Sequence, residues 1–117
     1  MILNAILLNA EVVPSTFFDQ VTGAQKTSYA LNMTVFDADT DEKYECQVAE
    51  GLPRLDELKE ARRRGEPPQV QEHLADALQA ELPPKMTPLT LEVVKLKGKS
   101  AAFIRLVCRL VQVAATV

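Results

Sequence analysis

The stretch that decides the fold is LPRLDELKEARRRGEPPQVQEHLADALQAELPP, which runs from Leu52 to Pro84. Pro53 suits a first helical position, where the missing N–H has no intrahelical acceptor and the fixed φ is already helical. Leu55 and Leu58 supply an apolar side, acids come early, and Arg62, Arg63 and Arg64 come late. That charge order matches the helix dipole, and Gly65 supplies the stop. After Glu66, Pro67 and Pro68, the apolar residues Val70, Leu74, Leu78 and Leu82 recur every four positions, which predicts a second helix. Pro83 and Pro84 end it. A helical pair over 53–82 therefore interrupts a chain that reads as strand on both sides.

Before the interruption, residues 2–13 are rich in Ile, Leu and Val, and Pro14 closes them as a first strand. Both of its parities are apolar at the start, so the strand is expected to be central. Residues 14–26 read as a long loop with a turn at Thr22-Gly23. Ser28–Phe36 alternates cleanly and predicts a second strand, with Tyr29, Leu31, Met33 and Val35 on one face. The polar DADTDEK connects it to a third strand, Tyr44–Val48, as an antiparallel hairpin. After the interruption, LTLEVVKL is a fourth strand, KGK a turn, and SAAFIRLVCRLVQVAATV a long fifth strand. Its inward parity is expected to be Ile104, Leu106, Cys108 and Leu110, which leaves Phe103, Arg105, Val107 and Arg109 outward.

The order is β-β-β-αα-β-β, an all-β core with a helical insertion over 53–82. Five strands with helix between the third and fourth is the order of a five-stranded oligonucleotide-binding (OB) barrel. An α+β antiparallel sheet with a helical hairpin on one face predicts the same string. Length supports one domain over 1–117. A 47% hydrophobic content is enough for a core without a metal or disulfide staple.

The net charge of −3 excludes a globally basic footprint, so any polyanion site must be a local patch. Cys46 and Cys108 lie in apolar alternating runs and are expected as buried thiols; a disulfide between facing strands is the other option. His73 has no second ligand type nearby, so no zinc site is expected. Asp37, Asp39 and Asp41 resemble the start of a calcium loop, but the glycine position holds Glu42 and the closing acid position holds Val48. No phosphate-binding glycine loop is present, and a single histidine supports no nucleophile–base pair, so neither an enzyme nor a cofactor is expected. The opening MILNAILLNAEVV lacks a basic start and is interrupted by Asn4, Asn9 and Glu11, so it reads as a strand of a cytoplasmic protein rather than a leader or a membrane span.

The segment DQVTGAQKTSYALNMTVFDADTDEKYECQV resembles small single-stranded DNA-binding proteins of the OB fold, of the helix-destabilising type carried by phages and plasmids. The resemblance rests on Asp19, Gly23 and Lys26 before the second strand, and covers roughly residues 1–50 and 86–117. It implies non-sequence-specific binding of single-stranded DNA in replication or recombination, with RNA the other polymer of the same chemistry. The chain departs from that pattern in its larger helical pair, its acidic balance and its ending, VQVAATV, in place of an acidic tail.

Single strands are held by cations that track phosphates and by aromatic faces on which bases stack. The stacking candidates are Phe17, Phe18, Phe36 and Phe103. The cation candidates are Lys26, Lys95, Lys97, Lys99, Arg105 and Arg109. In an OB barrel the first loop and the tip of the last hairpin flank the ligand groove. Each residue also has a plainer use. Adjacent phenylalanines pin loops, Phe36 can pack a hairpin, and the lysines can solvate a turn. The ARRR run serves its helix dipole, or instead extends the basic track. A small binder with few cations gains from linked grooves, so a homodimer or higher homo-oligomer is expected. A different class of function, an interaction subunit that dimerises or docks through its helices without touching nucleic acid, fits the same composition.

Overall fold

The chain is known from a computed structural model, which describes residues 1–98 and 104–113. Five strands and two helices follow in order: β1 Ile2–Phe18, β2 Gln25–Asp37, β3 Glu42–Glu50, α1 Pro53–Arg63, α2 Pro68–Glu81, β4 Pro88–Gly98 and β5 Ile104–Val113. The strands close on themselves in the order β1-β2-β3-β5-β4, with β4 returning to β1. Every pairing is antiparallel except β3 with β5. The expected all-β core with a helical insertion is therefore present, and the alternative of a flat sheet with one covered face is not, because the sheet closes.

The inside of the closed sheet is filled by one parity of each strand. Leu3, Ala5 and Leu7 come from β1, Leu31, Met33 and Val35 from β2, Cys46 and Val48 from β3, Leu89 and Leu91 from β4, and Leu106, Cys108 and Leu110 from β5. The fifth-strand parity read from the sequence is thus correct for the described side chains, and Arg105 and Arg109 are exposed. Leu55, Leu58, Ala75 and Leu78 join the same cluster from the two helices, which therefore plug the sheet rather than stand apart from it. Both cysteines are free and buried. The Cys46 thiol is pushed up, out of the range of ordinary titration, by its hydrogen bond with Cys108 and by burial.

Strand β1 contradicts the sequence reading in two ways. The pairing with β2 slips between Leu7 and Asn9, a bulge that changes which parity faces in. Before it Leu3, Ala5 and Leu7 point to the core, and after it Ala10 and Val12 pack against the same core. The switch accounts for Ala10 and Val12 on the second parity, whereas Ile2, before the bulge, stays exposed.

The second difference is larger. Residues 14–26 are mostly not loop. β1 continues through Pro14 to Phe18, β2 begins at Gln25, and only the turn between them is irregular. Phe17 faces Lys26 and Phe18 faces Gln25 in register, so both phenylalanines are strand residues of a projecting two-stranded arm. Pro14 is tolerated because β1 pairs with β4 only over Ile2–Ile6, so no ladder partner needs its missing N–H on that side. At Asp19 the turn is fastened by its own carboxylate, which accepts from the N–H of Val21 at 2.8 Å and of Thr22 at 3.3 Å. Gly23 takes the positive φ of 73° that the turn needs.

Where β1 leaves β4, its exposed edge is covered by helix α2. The Gln79 side chain accepts from Val12 N–H at 2.8 Å, and its amide donates to Ala10 O at 3.5 Å. One side-chain amide thus replaces the missing strand partner.

Candidate nucleic-acid interface

Lys99 and Phe103 lie outside the described residues. The other eight candidates fall into three places. Phe17, Phe18 and Lys26 are on the arm. Arg105, Arg109, Lys95 and Lys97 are on the outer side of the β4–β5 pair, where Lys95 faces Val107, Lys97 faces Arg105 and Arg109 faces Glu92. Phe36 stands apart at the far end of β2, half-buried between Ile6 of β1 and Lys43 of β3. It lines a hollow with Asn4, Ile6 and Asp39 that contains none of the other candidates.

The outer face of β2, β3 and β5 is polar and continuous. Asn32 pairs in register with Gln47, and Gln47 with Val107. Arg105 reaches across β3 and donates to Asn32 Oδ1 at 3.4 Å. Thr34 donates to Glu45 at 3.0 Å on the same side. Arg109 is not free: it lies 3.4 Å from Glu92, and both side chains are about half exposed. Lys95 and Lys97 have no ion pair among the described residues. Val107, between the two arginines, is buried outside the core cluster, so the face is not uniformly open.

The arm and the Lys97–Arg105 end of the β4–β5 pair do not meet. Leu106 and Met33 are both in register with Cys46, and Met33 is seven positions along β2 from Lys26. Seven residues of extended strand span on the order of 23 Å. A shared parity links them instead: Lys26, Ser28, Ala30, Asn32 and Thr34 alternate along one side of β2, and this side starts opposite Phe17 and ends beside Arg105.

At the arm, Lys26 is held by Asp19 at 2.9 Å. That hydrogen bond, helped by the backbone N–H groups of Val21 and Thr22, holds the Asp19 carboxyl below its usual range. Phe18 is 72% exposed, whereas Phe17 is 38% exposed because Arg62 of α1 covers its ring, 5.7 Å from the centroid. The ARRR run therefore divides. Arg63 and Arg64 both pair with Glu60 of their own helix, as expected for a helix end, while Arg62 crosses to the arm. Tyr29 is a residue that sequence reasoning missed, whereas Arg62 lay within a run read either as a helix end or as an extension of the basic track. Nothing in the run distinguishes its first arginine; only the packing of α1 beside the arm does.

Between the arm and the helical pair lies a cleft of about 420 Å³, lined by Phe17, Lys26, Tyr29, Arg62, Gln71 and Glu72 among others. Burial, then the charges of Glu72 and Asp76, push the Tyr29 hydroxyl up from its ordinary value, so it stays protonated at neutral pH. No cluster of three or more metal-ligating side chains occurs among the described residues. No helix among them is long and apolar enough to cross a membrane.

No family model, curated protein or solved structure matches this chain. The site must therefore be read from its own chemistry.

Proposed function

We propose that this protein binds single-stranded DNA without strong sequence preference, as a non-enzymatic OB-type barrel. The closed strand order, the parallel β3–β5 seam and the helices between β3 and β4 support that fold reading. In OB barrels the face of strands two and three, with the loops beside it, takes the oligonucleotide. The observation that carries the reading is the side of β2 that runs from the Phe17–Lys26 pair to Asn32 and Arg105. It offers a partly covered aromatic ring at one end and an amide beside an arginine at the other, groups of the kind that an extended strand of bases and phosphates requires. RNA presents the same chemistry.

Fluorescence anisotropy with labelled oligo-dT of about ten to twenty nucleotides tests this, a length that spans known OB site sizes. Binding is expected at low salt and falls as salt rises. Arg62, Lys95, Lys97 and Arg105 have no acid partner among the described residues, so the log–log slope is expected near 3, at about 0.7 per phosphate contact. Absence of binding at low salt overturns the proposal.

One observation favours a protein partner instead. Beyond Val93, whose N–H donates to Met1 O, β4 has β1 no longer beside it, and Val94 and Leu96 are exposed. A chain that binds no oligonucleotide yet sediments as a dimer supports this second reading, in which the strand edge joins copies. A DNA binder that also dimerises fits the first, with two linked grooves.

A further inference from the structure

We propose that the cleft between the arm and the helical pair holds one base of the bound strand, and selects a base that carries an exocyclic amino group. The inference rests on the single-strand reading above and adds a preference that the polar sheet face does not supply.

Three features of the cleft converge on such a ligand. The first is shape and surface. A hollow of about 420 Å³ has the size of a small-molecule site, and the rings of Phe17 and Tyr29 stand in a lining that is otherwise mostly polar. Arg62 lies over the Phe17 ring and has no acid partner among the described residues, so its charge can serve a phosphate beside the cleft.

The second is an orphaned acceptor. Gln71 donates from Nε2 to Glu66 O at 3.0 Å. That bond fixes the orientation of the amide, because turning it over would set oxygen against oxygen. Its Oε1 is then buried with no hydrogen-bond donor among the described residues, and it is the one buried side-chain polar atom among them in that state. A buried acceptor without a donor is costly, and a ligand that supplies an N–H relieves the cost.

The third is the sign of the remaining polar lining. Glu66 and Glu72 add carboxylates beside Gln71, while Lys26 is engaged by Asp19. Acceptors therefore surround Gln71, with Arg62 the lining cation that has no acid partner among the described residues. An exocyclic amino group offers two hydrogens, enough for Gln71 Oε1 and a carboxylate together. The imide N–H of thymine is single and is flanked by two carbonyl oxygens, which the carboxylates repel. Cytosine and thymine are similar in size, so the contrast between them isolates this chemistry.

The experiment compares oligo-dC with oligo-dT of equal length, at neutral pH and one ionic strength, for the unaltered chain and for Gln71→Met. Methionine keeps the length and helix preference of glutamine but removes the amide. For the unaltered chain oligo-dC is expected to bind about three- to tenfold more tightly, the scale of one hydrogen bond made to an otherwise unpaired acceptor. Gln71→Met is expected to bring the two polymers together by weakening oligo-dC alone. Equal binding of the two by the unaltered chain overturns this inference and leaves the single-strand reading standing. A preference that survives in Gln71→Met also overturns it. Failure to bind either polymer overturns both. Since the comparison on the unaltered chain is decisive by itself, misfolding of the variant does not shield the proposal.

Discussion

At the arm end of β2, Arg62 lies over the ring of Phe17, and no acid pairs with it among the described residues. On the sheet face, Arg109 lies against Glu92 and Arg105 against an amide oxygen. The sheet face holds more cations than the arm, and the two regions keep them in different company. A guanidinium on an aromatic face keeps its in-plane donors for an anion, whereas one against a carboxylate must exchange partners when a phosphate arrives. That exchange is not forbidding, since exposed ion pairs contribute only about 0–1 kcal/mol. The lesson is that cations counted along a strand are not equivalent: Lys26, Arg105 and Arg109 read alike in sequence and differ in what each must give up.

The largest effect expected is one that erases the comparison. Gly51, in the turn from β3 to α1, has φ of +109°, and a Cβ there would collide with the carbonyl oxygen of Leu110. Gly51→Ala is therefore expected to lose on the order of 3 kcal/mol of stability, since both the backbone conformation and the close approach to β5 become strained. Urea denaturation measures it. Wild-type stability in this variant would mean that the turn does not rest on β5, and would undo the geometry that holds the helices to the sheet.

A smaller effect sharpens the comparison within the sheet face. Arg105→Ala is expected to lower the salt slope of oligonucleotide binding by about 0.7, the loss of one single-strand phosphate contact. Arg109→Ala should lower it less, because Glu92 already offsets part of that charge. Glu92→Gln should raise affinity in compensation. The folding stability of the two arginine variants should change by less than about 0.5 kcal/mol, as exposed substitutions usually do. Equal slopes for both variants would remove the distinction between engaged and available arginines.

The smallest effect is a pH dependence at the arm. Asp19 is held below its ordinary value of 3.8, chiefly by Lys26 and then by the N–H groups of Val21 and Thr22. A depressed carboxyl stabilises the folded arm above the unfolded value, and that contribution is lost as pH falls below 3.8 through the folded value. The melting temperatures of wild type and Asp19→Asn should therefore differ slightly at neutral pH and converge in acid. A gap that widens on acidification would contradict the assigned ion pair.

Much of the fold was legible because its signals are local. The four-residue spacing and flanking prolines gave the helical pair within a residue of its bounds, and the alternation around Met33 and Cys108 gave the inward parities. What was not legible depends on neighbours distant in sequence. Pro14 reads as a strand terminator unless one knows that β4 has already departed from that edge. The bulge after Leu7 has no proline or glycine to announce it. For that reason Phe17 and Phe18 read as loop residues though they are strand residues of an arm. Candidate cations were visible, but their partners were not: Asp19 for Lys26 is seven residues away, while Asn32 for Arg105 is 73 away. Which arginine of the ARRR run would reach the arm, and that Tyr29 would line the cleft beside it, were not legible because each depends on two distant elements meeting.

The closure of β1 on β4 has a consequence for how the chain comes to be folded. The side chain of Thr90 bonds that of Asn4 across 86 residues. Synthesis proceeds from the N-terminus, so β1, β2 and β3 can form a meander long before β4 exists to cover the other edge of β1. Until then the edges of β1 at Ile2–Ile6 and of β3 at Cys46–Glu50 have no strand beside them, although both end up inside the closed sheet. Such late, long-range pairing is slow, and unpaired edges invite association between nascent chains. Gln79 closes β1 at Val12 and Ala10 once α2 has emerged, so the helical pair guards the part of that edge which β4 never reaches.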